Sequence, residues 1–78
     1  MALHRFPDNV RYLELFGVAY FIPWEDMQTG CSFFLKTTAT AAQVKKALHP
    51  AKKHLKMTLV PHARLESGYY GVRVWRLA

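Results

Sequence analysis

Seventy-eight residues leave room for one domain, because folded domains run from about 50 to 250 residues. A chain that is 51% hydrophobic and 14% aromatic is not a disordered one, since disorder pairs low hydrophobicity with high net charge. The longest apolar stretch, Phe16 to Pro23, falls far short of the roughly 20 residues a membrane helix needs, and the 11 Lys and Arg against 5 Asp and Glu give a net charge of +6 that points to an anionic partner and away from a membrane interior.

In chain order, residues 1–10 form a flexible or loosely docked amino-terminal segment. Tyr12 to Ile22, rich in aromatic and branched residues and closed by Pro23, reads as a strand bulged or bent at Gly17. Turn-forming residues follow from Pro23 to Gly30, and Cys31 to Lys36 resumes as a short strand, expected to pair with the first across a wide connection. Thr40 and Gln43 have capping-box spacing, so a helix starts at Ala41. Val44, Leu48, Ala51 and Leu55 recur at four, three and four residues and make one apolar stripe that packs on a sheet. Pro50 lies within that helix and removes one backbone donor. The stripe keeps its phase across it, so a kink is expected in preference to a break. Met57–Leu65 and Tyr69–Leu77 read as two strands joined at Glu66-Ser67-Gly68. Val72 and Val74 share one face of the last strand with Tyr70; Tyr69, Arg73 and Trp75 share the other. The expected architecture is α+β, ββαββ, one helix on an antiparallel sheet of about four strands.

The charges are unevenly spread. Residues 1–26 hold Arg5 and Arg11 against Asp8, Glu14, Glu25 and Asp26, whereas residues 27–78 hold nine basic side chains against Glu66 alone. Lys45, Lys46, His49, Lys52, Lys53 and Lys56 fall within about 120° of arc on the predicted helix, opposite the apolar stripe. Lysines so arranged can sit against phosphates and release counterions; the bland alternative is a solvated helix face. Tyr69, Arg73 and Trp75, with Arg76 nearby, mix rings and cations as single-strand binders do. Here the plainer reading is favoured: Trp75 packs with Trp24 or an amino-terminal aromatic in a second core layer.

Catalysis has little to stand on. Cys31 beside one of four histidines is the only nominal nucleophilic pair, and its place between Gly30 and a Phe-rich strand reads as a small core residue. Glu25 and Asp26 are adjacent and suit a solvated turn better than acid–base work. There is no glycine loop of the phosphate-cradling kind. His49 and His54 point about 140° apart on a helix, and His4 and His62 have no partner at a recognised ligand spacing. No enzyme, cofactor or metal site is expected.

The segment Pro23-Trp24-Glu25-Asp26-Met27, followed by Gly30 and Ser32-Phe33-Phe34, a basic helix, and finally Gly71-Val72-Arg73-Val74-Trp75-Arg76-Leu77, resembles a group of small uncharacterised proteins of tailed bacteriophages and prophages. The resemblance spans roughly residues 20–77, and its closing segment is the more specific part. It implies a short accessory product in the bacterial cytoplasm and supplies no catalytic residue or ligand. A single cysteine and an amino terminus without a signal-peptide pattern fit that compartment. The leading expectation is a nonenzymatic binding module that engages nucleic acid or a nucleoprotein through its basic half. The rival is a protein-directed inhibitor of host machinery or defence, of which an anti-CRISPR is one form. A third reading makes the chain a subunit of a homo-oligomer or phage assembly.

Overall fold

The computed structural model describes residues 6–78. After Pro7 the chain makes one helical turn, α1 (Asp8–Arg11), closed by the N–H groups of Val10 and Arg11 donating to the Pro7 carbonyl at 2.9 and 2.8 Å. Val10 is buried, its carbonyl accepts from Trp24 Nε1 at 2.8 Å, and α1 lies against the second half of the helical region. Residues 1–5 lie outside the described residues.

The expected single strand over residues 12–22 is instead a hairpin. β1 (Tyr12–Leu15) pairs antiparallel with β2 (Val18–Phe21), with Leu15 opposite Val18. Only Phe16 and Gly17 lie between them, both at positive φ (52° and 80°), which is the type I′ geometry that matches strand twist. A short 3₁₀ turn (Trp24–Asp26) then buries Trp24 and leads to β3 (Ser32–Leu35). β3 pairs with the last strand, not with the first, so the single four-stranded sheet is replaced by a two-stranded and a three-stranded one.

The capping box is present: Gln43 N–H donates to Thr40 Oγ1 at 3.1 Å and Thr40 N–H to Gln43 Oε1 at 2.8 Å. The helix is broken, however, not kinked. α2 (Ala41–Ala47) and α3 (His49–Leu55) are separated by Leu48, whose ψ of −9° departs from the helical value. Pro50 has no N–H to offer a preceding carbonyl, and starting a new helix just before it puts that missing donor in the first turn, where no partner is required. The apolar stripe still points inward, with Val44, Leu48 and Ala51 buried and Leu55 partly so.

β4 (Leu59–Glu66) and β5 (Tyr69–Arg76) form the second hairpin, turned by Ser67 and Gly68 at φ 51° and 79°. The three-stranded sheet runs β3-β5-β4. Val72 and Val74, wholly buried, face Leu35, Leu59, Val44 and Leu48 in one core. Leu77 N–H donates to the Thr58 carbonyl and the register continues unbroken to Glu66, so even-numbered β4 residues bond β5 and odd-numbered ones face the free edge. Pro61 is among the latter, where its absent donor leaves no gap in the ladder.

Candidate functional site

The basic helix face is divided by the break. Lys45, Lys46, His49 and Lys52, with Ala42, line one shallow depression of about 340 Å³. Lys53 turns toward α1, where it lines a second with Pro50, His54, Pro7 and Asn9. Lys56 is exposed in the left-handed residue that ends α3. Among the described residues no carboxylate pairs with any of these five lysines. Lys45, Lys46, Lys52 and Lys53 also occupy last turns, where their charge complements the exposed carbonyls.

A groove of about 350 Å³ between α2, α3 and the first half of β4 is lined by Lys45, Lys52, Thr58, Val60 and Pro61. It shares Val60 with an open groove of about 690 Å³ bordered by His62, Arg64, Trp75 and Leu77. The lysine depression is thus contiguous with the outer face of the three-stranded sheet, and no acidic residue lines any part of the path.

That outer face carries Tyr69, Gly71, Arg73 and Trp75 from β5, His62, Arg64 and Glu66 from β4, and Ser32 and Phe34 from β3. Trp75 does not pack with Trp24, contrary to the plainer expectation. Trp24 is buried on the opposite side, edge-on to Phe33 at 5.8 Å, whereas Trp75 stands edge-on to His62 at 5.6 Å, because Val74 takes the inward position beside it. The ring of Phe34 lies across Gly71, a diagonal contact that aromatic side chains can span between paired strands. Each ring has a cation beside it: Lys36 Nζ at 3.8 Å from the Tyr69 centroid, Arg73 Cζ at 5.6 Å from Phe34, and Arg64 Cζ at 5.6 Å from Trp75.

Arg73 is held rigidly. Its Nε and Nη2 donate to the two Glu66 carboxylate oxygens at 2.7 and 2.6 Å, and its Nη1 donates to Ser32 Oγ at 2.9 Å. The hydrogen bonds from Arg73 draw the Glu66 carboxyl below its ordinary pKa and raise that of the guanidinium, desolvation opposing both. Arg76 does not join this face. It projects from the other side of β5, donating to the Met27 carbonyl at 2.6 Å and the Ala78 carbonyl at 3.2 Å, and so ties the 3₁₀ turn to the carboxy terminus.

Sequence reasoning missed Phe34, Lys36, His62 and Arg64. A signal for the last two was present: a two-residue turn at Ser67-Gly68 sets Glu66 opposite Tyr69, which places His62 opposite Arg73 and Arg64 opposite Gly71. Glu25 holds the Arg11 guanidinium, which in turn lies over the rings of Phe6 and Phe21. Cys31 is half-buried against the core, no group of three metal-ligating side chains occurs among the described residues, and none of their helices is long and apolar enough to cross a membrane. His4 lies outside the described residues. No known family model, curated protein or solved structure matches the chain.

Proposed function

We propose that this chain is a nonenzymatic binding module that engages nucleic acid, bare or as nucleoprotein, through the basic face of α2 and α3. The observation that carries this reading is the cluster of Lys45, Lys46, His49 and Lys52 around one depression, with no carboxylate paired to it among the described residues. Unneutralised lysines at such spacing gain little by facing each other and much by releasing phosphate counterions. The resemblance to small phage and prophage products gives the context: an accessory protein acting in the host cytoplasm.

Exchange of Lys45 and Lys46 for Gln tests it, since both are exposed and uncharged replacements there lose only a helix-end interaction of about 0.3–1 kcal/mol each. Fluorescence anisotropy with labelled oligonucleotides of several sequences should show affinity falling for all of them. The logarithmic salt slope should shrink by about one unit for each phosphate that is no longer neutralised. Affinity and slope equal to wild type would remove the basic helix face from consideration.

A protein-directed reading, inhibition of a host or defence factor, draws on a different surface. Phe16, Val18 and Tyr70 are each more than half exposed and ring an apolar depression of about 370 Å³ at the end of the first hairpin. Contiguous exposed apolar surface of this kind marks protein partners. Under that reading capture of the partner survives nuclease treatment and is insensitive to the lysine exchanges.

A further inference from the structure

We infer that the polyanion is a single-stranded polynucleotide whose bases lie on the outer face of the β3-β5-β4 sheet while its backbone follows the edge of β4 toward the α2 lysines. This rests on the nucleic-acid reading above and names the form that the site takes.

The argument begins with the row along β5. Alternate residues of a strand point the same way about 7 Å apart, so positions 69, 71, 73 and 75 make one line. Gly71 has no side chain, and the ring of Phe34 fills its place. The line therefore reads ring, ring, guanidinium, ring: Tyr69, Phe34, Arg73, Trp75. Tyr69 is 51% exposed, and every other element packs on the opposite face, where Val72 and Val74 have no exposure at all. A duplex keeps its bases stacked inside and offers these rings nothing, whereas unpaired bases stack on aromatic side chains with little regard to sequence.

Charge on the face selects the same ligand. Lys36 and Arg64 are exposed and rest over Tyr69 and Trp75; a strand laid on the face exchanges each cation–ring contact for a base on the ring and a phosphate on the cation. The lone acid of the face, Glu66, is neutralised through both oxygens by Arg73, so it opposes the backbone weakly. A second copy of this chain fits the same face badly, because its Lys36 and Arg64 would meet those of the first while the one acid available, Glu66, already holds Arg73 and lies 3.5 Å from Arg64 of its own chain. The grooves along β4 then carry the backbone from Arg64 past Val60 to Lys45 and Lys52 without crossing a carboxylate.

The test compares labelled oligo(U) and oligo(dT) with a hairpin duplex of equal phosphate number, using the full chain and its Trp75→Ala, Trp75→Phe and Tyr69→Ala variants. The single strands should bind at least about tenfold tighter than the duplex at physiological salt. Trp75→Ala and Tyr69→Ala should each weaken single-strand binding roughly five- to hundredfold with the salt slope unchanged, and Trp75→Phe should restore most of the affinity. Tryptophan fluorescence should be quenched on binding through Trp75, since Trp24 is buried. Equal or tighter duplex binding, or Tyr69→Ala and Trp75→Ala variants that keep their fold and bind as wild type, overturns the stacking inference and leaves the polyanion reading standing. Absence of binding to any of the three probes overturns both. A dimer in sedimentation that Trp75→Ala dissociates makes the face a self-interface and also overturns the inference.

Discussion

A Cβ built on Gly71 would sit 2.3 Å from the Leu35 carbonyl oxygen and 2.4 Å from Cζ of Phe34. The ring could swing away, but the carbonyl is fixed by the pairing of β3 with β5. Gly71→Ala should therefore cost about 1–3 kcal/mol in chemical denaturation, and adding Phe34→Ala should not recover it, because removing the ring leaves the carbonyl in place. Full recovery in the double variant would place the whole conflict on the ring. Glu66 makes a second prediction. Its carboxyl titrates below the ordinary value because Arg73 donates to it, so the stability it contributes is complete above about pH 4.3 and is lost as pH falls through the lowered folded value. Urea midpoints measured at about pH 7 and about pH 3 should differ less for Glu66→Gln than for wild type. An equal difference in the two proteins would mean that the pair contributes nothing to acid sensitivity.

Leu48 is the hinge between α2 and α3 and also one of the most buried side chains, at 1% exposure. Leu48→Ala should cost about 2–5 kcal/mol, measured as a lower midpoint at unchanged m-value; a loss under about 1 kcal/mol would show that the junction collapses to fill the space. The helical region was readable because period and cap agreed: Thr40, Gln43 and the stripe from Val44 to Ala51 all fall where the spacing puts them. The break was not readable, since a stripe that keeps its phase is satisfied equally by a bent helix and by two coaxial pieces. The first hairpin was missed for a chemical reason. Both turn residues need positive φ, which Asn-Gly or Asp-Gly advertises and Phe16-Gly17 does not.

β5 lies between β3 and β4 and supplies Val72 and Val74 to the core, so a chain ending at Gly71 loses the strand that joins the sheet. It should show no cooperative unfolding transition by circular dichroism, because β3 loses every partner and β4 keeps only the three pairs next to the turn. This centrality was hidden in the sequence: alternation along Tyr69–Leu77 shows which residues point inward but not that both edges of the strand are used. The basic character of the α2 and α3 face was plain from lysine spacing, while the sheet face had to wait for the register that brings Phe34, Arg64 and Trp75 onto one side. One further property follows from Pro61. β4 is an eight-residue strand with an open side, the kind of template on which chains polymerise edge to edge. Pro61 withholds the N–H that an incoming strand would need near its middle, and Lys45 and Lys52 flank that position. A proline and two like charges at one point of an open edge are the means by which a strand is kept from adding a copy of itself, so Pro61→Val should raise the tendency of the protein to aggregate, measured by light scattering at rising concentration.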